Sequence, residues 1–188
     1  MCGFPPNQGA ALRAKYGVNK GRFWAMPQTT LWYLAVNRGD DLFADNDRLA
    51  QAVNYAVDRA AIFRQGGAHA GVRTDQIVPP GLPGFRDWSL YSLKGADKRT
   101  AKRLAKGSLR SGKCQLWTSN SGSGPAVAQI VKTNLAQIGL DCDISAFEPA
   151  DLLQEVGVRG AGYDLLLTSW TAPYPDPFAA IAPILDGT

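Results

Sequence analysis

The sequence predicts an α/β fold, a parallel or mixed sheet flanked by helices. Three observations carry this. Cys114 to Phe147 reads as strand, glycine-rich turn, helix and strand, which is a βαβ crossover with two parallel strands. Two further runs, Thr29–Asn37 (TTLWYLAVN) and Tyr163–Trp170 (YDLLLTSW), are β-branched, aromatic or aliphatic and bounded by polar or proline-rich segments, as buried strands are. The chain of 188 residues has 45% hydrophobic and 19% charged residues, the balance of a folded domain.

In chain order, residues 1–28 are rich in Gly, Pro, Lys and Arg and form a leader, partly flexible, with one short helix at Ala10–Tyr16. They contain no basic and apolar targeting pattern. Both termini are abrupt, which predicts a piece of a longer protein. After the Thr29–Asn37 strand, Asp45, Asn46 and Asp47 are N-cap candidates. Leu49, Val53, Ala56, Val57 and Ala60 then recur at helical spacing, so one helix is expected to about Phe63, stopped by Gly66-Gly67. Gln76–Pro83 is a proline-fixed extended loop.

A second helix is expected over Asp97–Leu109, with Ala101, Leu104, Ala105 and Leu109 inward. Its other side holds Lys98, Arg99, Lys102, Arg103, Lys106 and Arg110. Aromatic residues and recognition motifs are missing there, and the net charge is only +4. A solvated helix face explains the stretch, and no nucleic-acid partner is expected.

Within the βαβ unit, Cys114–Thr118 is a strand and Ser119–Gly124 the turn. Pro125 opens a helix whose stripe is Val127, Ile130, Val131, Leu135 and Ile138. Gly139 ends it, and Leu140–Phe147 is the next strand. Helices follow at Pro149–Val156 and Phe178–Leu185, the latter interrupted by Pro183.

The candidate chemistry is sparse. One His and three Cys leave no material for a transition-metal site, and no cofactor motif is present. His69 reads as a loop histidine, Asp58-Arg59 as a structural pair on a helix, and Asp141/Asp143 as neighbours on one strand. The Ser119–Gly124 turn lacks the Gly-Lys-Ser/Thr of a phosphate loop and the spacing of a nucleophile elbow. It is either a plain tight turn or a ligand-facing one, with Asn120 and Ser121 at its tip. Cys114 and Cys142 fall on successive strands facing the core, which places a Cys114–Cys142 disulfide with Cys2 free against two separate buried thiols.

In an open parallel sheet, ligands bind beyond the carboxyl ends of the strands. Two loops leave there: Ser119–Gly124 and Thr171–Pro177. The second brings Trp170, Thr171, Tyr174 and Asp176, aromatics beside a carboxylate, which suit a small polar or amphipathic molecule. Nucleophile and base do not occur together, so binding without chemistry is expected.

The stretch from Tyr33 to Ile62 has a further pattern. Leu34 to Asn37, then Phe43, Asp45, Arg48, Ala52, Tyr55, Ala56, Asp58 and Arg59, resemble a signature of bacterial extracellular solute-binding proteins of family 5. Those are the dipeptide-, oligopeptide- and nickel-binding components of ABC importers. Ile77-Val78-Pro79-Pro80, Lys102–Leu109 and Trp170–Pro177 resemble later pieces in the same order, so the match runs from about Tyr16 to the C-terminus. The resemblance implies one lobe of a periplasmic-binding-protein type II-like fold. Residues 29–188 would be the second of two lobes, truncated at its C-terminus, with 1–28 an inter-lobe segment. It implies a lipid-anchored, extracytoplasmic, monomeric parent that closes two lobes on a peptide-like solute and delivers it to permease subunits. A small α/β enzyme domain holding an anion on the glycine-rich turn, or a sensor domain of the same fold, are the alternatives. In peptide-binding members the Trp-x-x-Asp loop supplies an aspartate for the solute's α-amino group. Here that place is Pro173, which implies a solute other than an ordinary peptide, or a peptide held elsewhere.

Overall fold

The computed structural model describes residues 6–24, 29–66 and 71–185. Cys2 and His69 lie outside the described residues.

The chain runs α1 (Pro6–Tyr16), β1 (Thr30–Val36), α2 (Asp47–Ala56), α3 (Arg59–Gln65), α4 (Lys98–Ala105), β2 (Lys113–Ser119), α5 (Gly124–Ala136), β3 (Asp141–Phe147), α6 (Pro149–Val156), β4 (Leu165–Thr171) and α7 (Pro177–Leu185). The strands form one four-stranded mixed sheet in the order β1-β4-β2-β3. β2 lies parallel to β3 and to β4, while β1 runs antiparallel to β4, from Thr30↔Thr171 to Val36↔Leu165. The expected βαβ crossover is present.

Strand alternation divides the side chains between the two faces. Cys114, Leu116, Cys142, Leu165 and Leu167 face a core shared with α2, α4 and α5. Phe43, Leu49, Ala52, Ala101, Val131 and Leu135 close it from the helix side. The opposite face holds the rings of Trp117, Phe147 and Tyr163, with centroids 4.8 Å and 5.4 Å from Trp117. The α6 crossover reverses direction across the sheet, so a right-handed connection carries it over this second face. No helix among the described residues is long and apolar enough to cross a membrane.

Helix ends follow local chemistry, with one departure from expectation. Asn46 caps α2, accepting from the Leu49 amide at 3.3 Å, and its own amide nitrogen donates to the carbonyls of Leu42 and Ser108. Buried as it is, this side chain joins α2 to the chain after α4. The single helix expected to Phe63 is two helices. Val57 is extended (φ −68°, ψ 119°), and Asp58 starts α3 by accepting from the Ala61 amide at 2.9 Å. The Asp58 amide donates to Asn134 Oδ1 on α5, so the break docks on a tertiary partner. Asp58 and Arg59 therefore do not form the expected pair. Arg59 donates instead to Asn54 O and Asn54 Oδ1 and lies over the Tyr91 ring. The helix expected to Leu109 stops at Ala105, and the chain turns at Gly107 with φ +79°.

Cys114 and Cys142 are register partners, as the strand placement implied, but they are free thiols and the expected disulfide is not formed. Both side chains are buried among core residues and meet there as thiols. The Cys142 thiol hydrogen-bonds to Cys114, and together with burial this pushes the Cys114 thiol far up.

Candidate functional site

β2, β3 and β4 point their carboxyl ends to one edge of the sheet, and antiparallel β1 begins there. That edge collects the Ser119–Gly124 turn, Glu148 and the loop from Thr171 to Pro177.

The turn is built by close approach. A Cβ on Gly124 would stand 2.4 Å from the Ser119 carbonyl oxygen and 3.2 Å from Thr118 Oγ1, so only glycine lets α5 start directly above the end of β2. Thr118 is fully buried and donates to the Leu167 carbonyl at 3.2 Å, which ties the turn's base to β4. At the tip, Asn120 donates from its backbone to Phe147 O at 2.7 Å and from its side chain to Glu148 Oε1 at 2.8 Å. Ser121 shares a hydroxyl hydrogen bond with Ser119 at 2.8 Å. The amides of Asn120, Ser121 and Gly124 are thus engaged within the chain, and Pro125 has none to offer.

The second loop is fixed from both sides. Thr29 Oγ1 donates to Ala172 O at 2.8 Å, and Thr30 and Thr171 share a hydroxyl contact at 2.8 Å across β1 and β4. Trp170 donates its indole N–H to Ala179 O at 2.7 Å and so anchors α7. Asp176 accepts from the Phe178 amide at 2.8 Å and starts that helix. Tyr174 and Phe178 stand exposed.

The structure therefore brings Asn120, Ser121, Trp170, Thr171, Tyr174 and Asp176 to one edge, although the Trp170 indole is turned to α7 rather than left free. Two contributors escaped the sequence reading. Glu148 follows the carboxyl end of β3, so the same topological rule pointed to it. The segment between α3 and α4 also arrives here: a Cβ on Gly84 would stand 3.2 Å from Pro177 Cγ. Only tertiary structure could show that approach. Among the described residues, no group of three or more His, Cys, Asp or Glu side chains is placed to hold a metal ion.

Asp164 lies at the opposite end, before β4. Burial pushes its carboxyl up, the Gln115 amide at 2.6 Å opposes this, and the neighbouring Asp40 carboxylate adds to the rise.

Residues 1–188 match the family model described as bacterial extracellular solute-binding proteins, family 5, middle. The chain is 28% identical over 187 residues to the glutathione-binding protein GsiB of Salmonella choleraesuis (strain SC-B67), an alignment that covers 96% of this chain and 36% of that protein. Among solved structures, the murein tripeptide binding protein MppA of Escherichia coli is similar with a TM-score of 0.78 at 20% identity, over 95% of this chain and 36% of that one. The ABC transporter substrate binding protein CtaP of Listeria monocytogenes has a TM-score of 0.79 at 20% identity, over 98% and 38%. The chain thus spans about a third of the length of the curated relatives it matches. With the family model matched over residues 1–188, the chain belongs to family 5 of the bacterial extracellular solute-binding proteins.

Proposed function

We propose that this chain forms one wall of a solute-binding cleft. The whole protein captures a small polar or peptide-like solute by closing a second lobe over it and hands the solute to the permease subunits of an ABC importer. The observation that carries the reading is the single sheet edge where Asn120, Ser121, Thr171, Tyr174 and Asp176 meet, in a chain of this family. The site binds without covalent chemistry. The parent works outside the cytoplasm as a lipid-anchored monomer.

The relatives are named for glutathione and for a murein tripeptide, so these are the first solutes to test. Pro173 stands where peptide-binding members of the resembling family place their amine anchor, and it has no side-chain acceptor. Asp176 is engaged with the Phe178 amide. A buried ammonium without a partner is costly. The solute is therefore one that does not depend on a free N-terminus at this loop.

The test is calorimetry on the full-length parent with glutathione and with tripeptides, free and N-acetylated. Saturable binding that weakens about tenfold or more in Tyr174→Ala supports the cleft. Equal affinity of wild type and Tyr174→Ala for every bound solute places the site elsewhere. A large loss on acetylation, abolished by Asp176→Asn, would show Asp176 acting as the amine anchor. The isolated chain offers half a cleft, so its affinity is weaker than micromolar.

A further inference from the structure

A second feature lies on the segment between α3 and α4, whose Gly84 reaches the sheet edge at Pro177. Between α3 and α4 the chain runs without regular structure, yet it is pinned at several points. Tyr91 donates its amide to Asp75 Oδ2 at 2.9 Å, and its ring packs edge-on against Tyr55 at 5.0 Å. The Asp97 amide donates to Tyr55 O at 2.9 Å. The segment folds around an open groove of about 350 Å³. None of Asn120, Ser121, Trp170, Thr171, Tyr174 or Asp176 lines it. Its size falls at the lower end of the roughly 300–1,000 Å³ typical of small-molecule sites.

The lining combines apolar side chains with one cation, Arg73, and two carboxylates, Asp75 and Asp87. The half-buried Phe85 and Leu93 and the exposed Val72 supply the apolar surface. Arg73 supplies the cation. Its guanidinium sits 5.3 Å from the Phe63 ring centroid, which holds it in place. Among the described residues it donates no hydrogen bond and joins no ion pair. Asp87 supplies the anion. Ser89 donates to its Oδ1 from both backbone and hydroxyl, each at 3.1 Å, which orients the carboxylate and leaves Oδ2 open. Ser89 adopts φ +50° to do so, a conformation a non-glycine residue rarely holds. Asp75 also borders the groove, but Tyr91 and Gln76 already occupy its two oxygens.

We propose that this groove binds a small zwitterion with an apolar body, of the amino-acid type. The ligand's carboxylate pairs with Arg73, its ammonium with Asp87 Oδ2, and its side chain lies against Val72, Phe85 and Leu93. A guanidinium with free N–H groups is suited to a carboxylate. A ligand with only one charge would meet one lining group of its own sign, so a ligand with both is selected. It shares no lining residue with the sheet-edge cleft.

The experiment is calorimetry on the full chain with three probes: leucine, leucinamide and N-acetylleucine. Leucine is expected to bind saturably below roughly 10 mM, with the two singly charged probes about tenfold or more weaker. Arg73→Gln should weaken leucine about tenfold and abolish its advantage over leucinamide. Asp87→Asn should abolish the advantage over N-acetylleucine. Both side chains are exposed, and equal melting temperatures would show that the fold is kept. Tyr174→Ala, in the other site, should leave leucine binding unchanged. The proposal is overturned by no saturable heat from leucine, by equal affinity for the three probes, by an unaltered Arg73→Gln variant, or by loss of leucine binding in Tyr174→Ala. Failure of the sheet-edge cleft on the full-length parent leaves each of these readings intact.

Discussion

Gly124→Ala sets two opposed effects against each other, and the structure decides the sign. Gly124 opens α5, and replacing a helical glycine by alanine ordinarily gains up to ~1 kcal/mol. Here the new Cβ would stand 2.4 Å from the Ser119 carbonyl oxygen, while ordinary contact begins at 3.4 Å, so a backbone atom must retreat by about 1 Å. The Ser119 carbonyl ends β2, whose base is held by the buried Thr118 hydroxyl on Leu167 O, and it cannot move alone. Forced overpacking of this kind costs roughly 3 kcal/mol. The net loss is about 2 kcal/mol, which for a chain of this size lowers the melting temperature by about 4–8 °C. The assay is thermal denaturation followed by far-UV circular dichroism. Gly122→Ala is the control: its Cβ would meet nothing within 4 Å, but its φ is +60°, so only the left-handed conformation penalises alanine, by ~1 kcal/mol. A melting temperature unchanged or raised in Gly124→Ala would refute the close-approach argument.

Three further outcomes follow from particular contacts. Trp170→Phe removes the indole donor to Ala179 O and should cost about 1 kcal/mol, a fall of about 2–4 °C, with the loss of protection in hydrogen exchange concentrated in α7; loss spread evenly over the sheet would contradict the anchoring role. Asp164 has a raised folded pKa, so the native state holds its proton more tightly than the unfolded chain does. Its contribution to stability is complete below the unfolded value of 3.8 and is lost as the pH rises through the folded value. A carboxyl titration by NMR should find its midpoint above 3.8, and a midpoint at or below 3.8 would remove the argument. Thiol titration of the denatured, unreduced protein should find both Cys114 and Cys142 reactive, because the two are free; loss of both from the count would mean that the pair is bonded.

The elements legible in the sequence were those set by neighbours along the chain. Pro125, the Val127–Ile138 stripe and Gly139 mark α5, and short turns on either side make β2 and β3 parallel. The rule that ligands lie beyond the carboxyl ends of parallel strands, applied to the loops after β2 and β4, puts Asn120 and Asp176 on one edge. The apolar run at Leu165 is a local signal too. Where the sequence misled, a distant partner was at work. Val57 lies in a continuous helical stripe, yet the helix breaks there because Asp58 caps a new one and its amide finds Asn134, 76 positions along the chain. Periodicity reports which face is apolar, and both sides of the break keep that face, so the break leaves no trace in the pattern.

What the sequence determined by itself is the four strands, the helix of the βαβ unit, the direction of that unit and the residue types at the carboxyl edge. What only the tertiary structure decided is the order β1-β4-β2-β3, the reversed direction of β1, the reduced state of the paired cysteines, the tie from the Trp170 indole to α7, and the groove that Arg73 and Asp87 line together. The physical reason is the same in each case. Local propensity acts over a few residues and selects a backbone conformation. Strand order and the meeting of side chains depend on hydrogen bonds and packing between segments far apart in the chain, such as Thr30 with Thr171 or Gly84 with Pro177, and those partners compete only once the chain is compact.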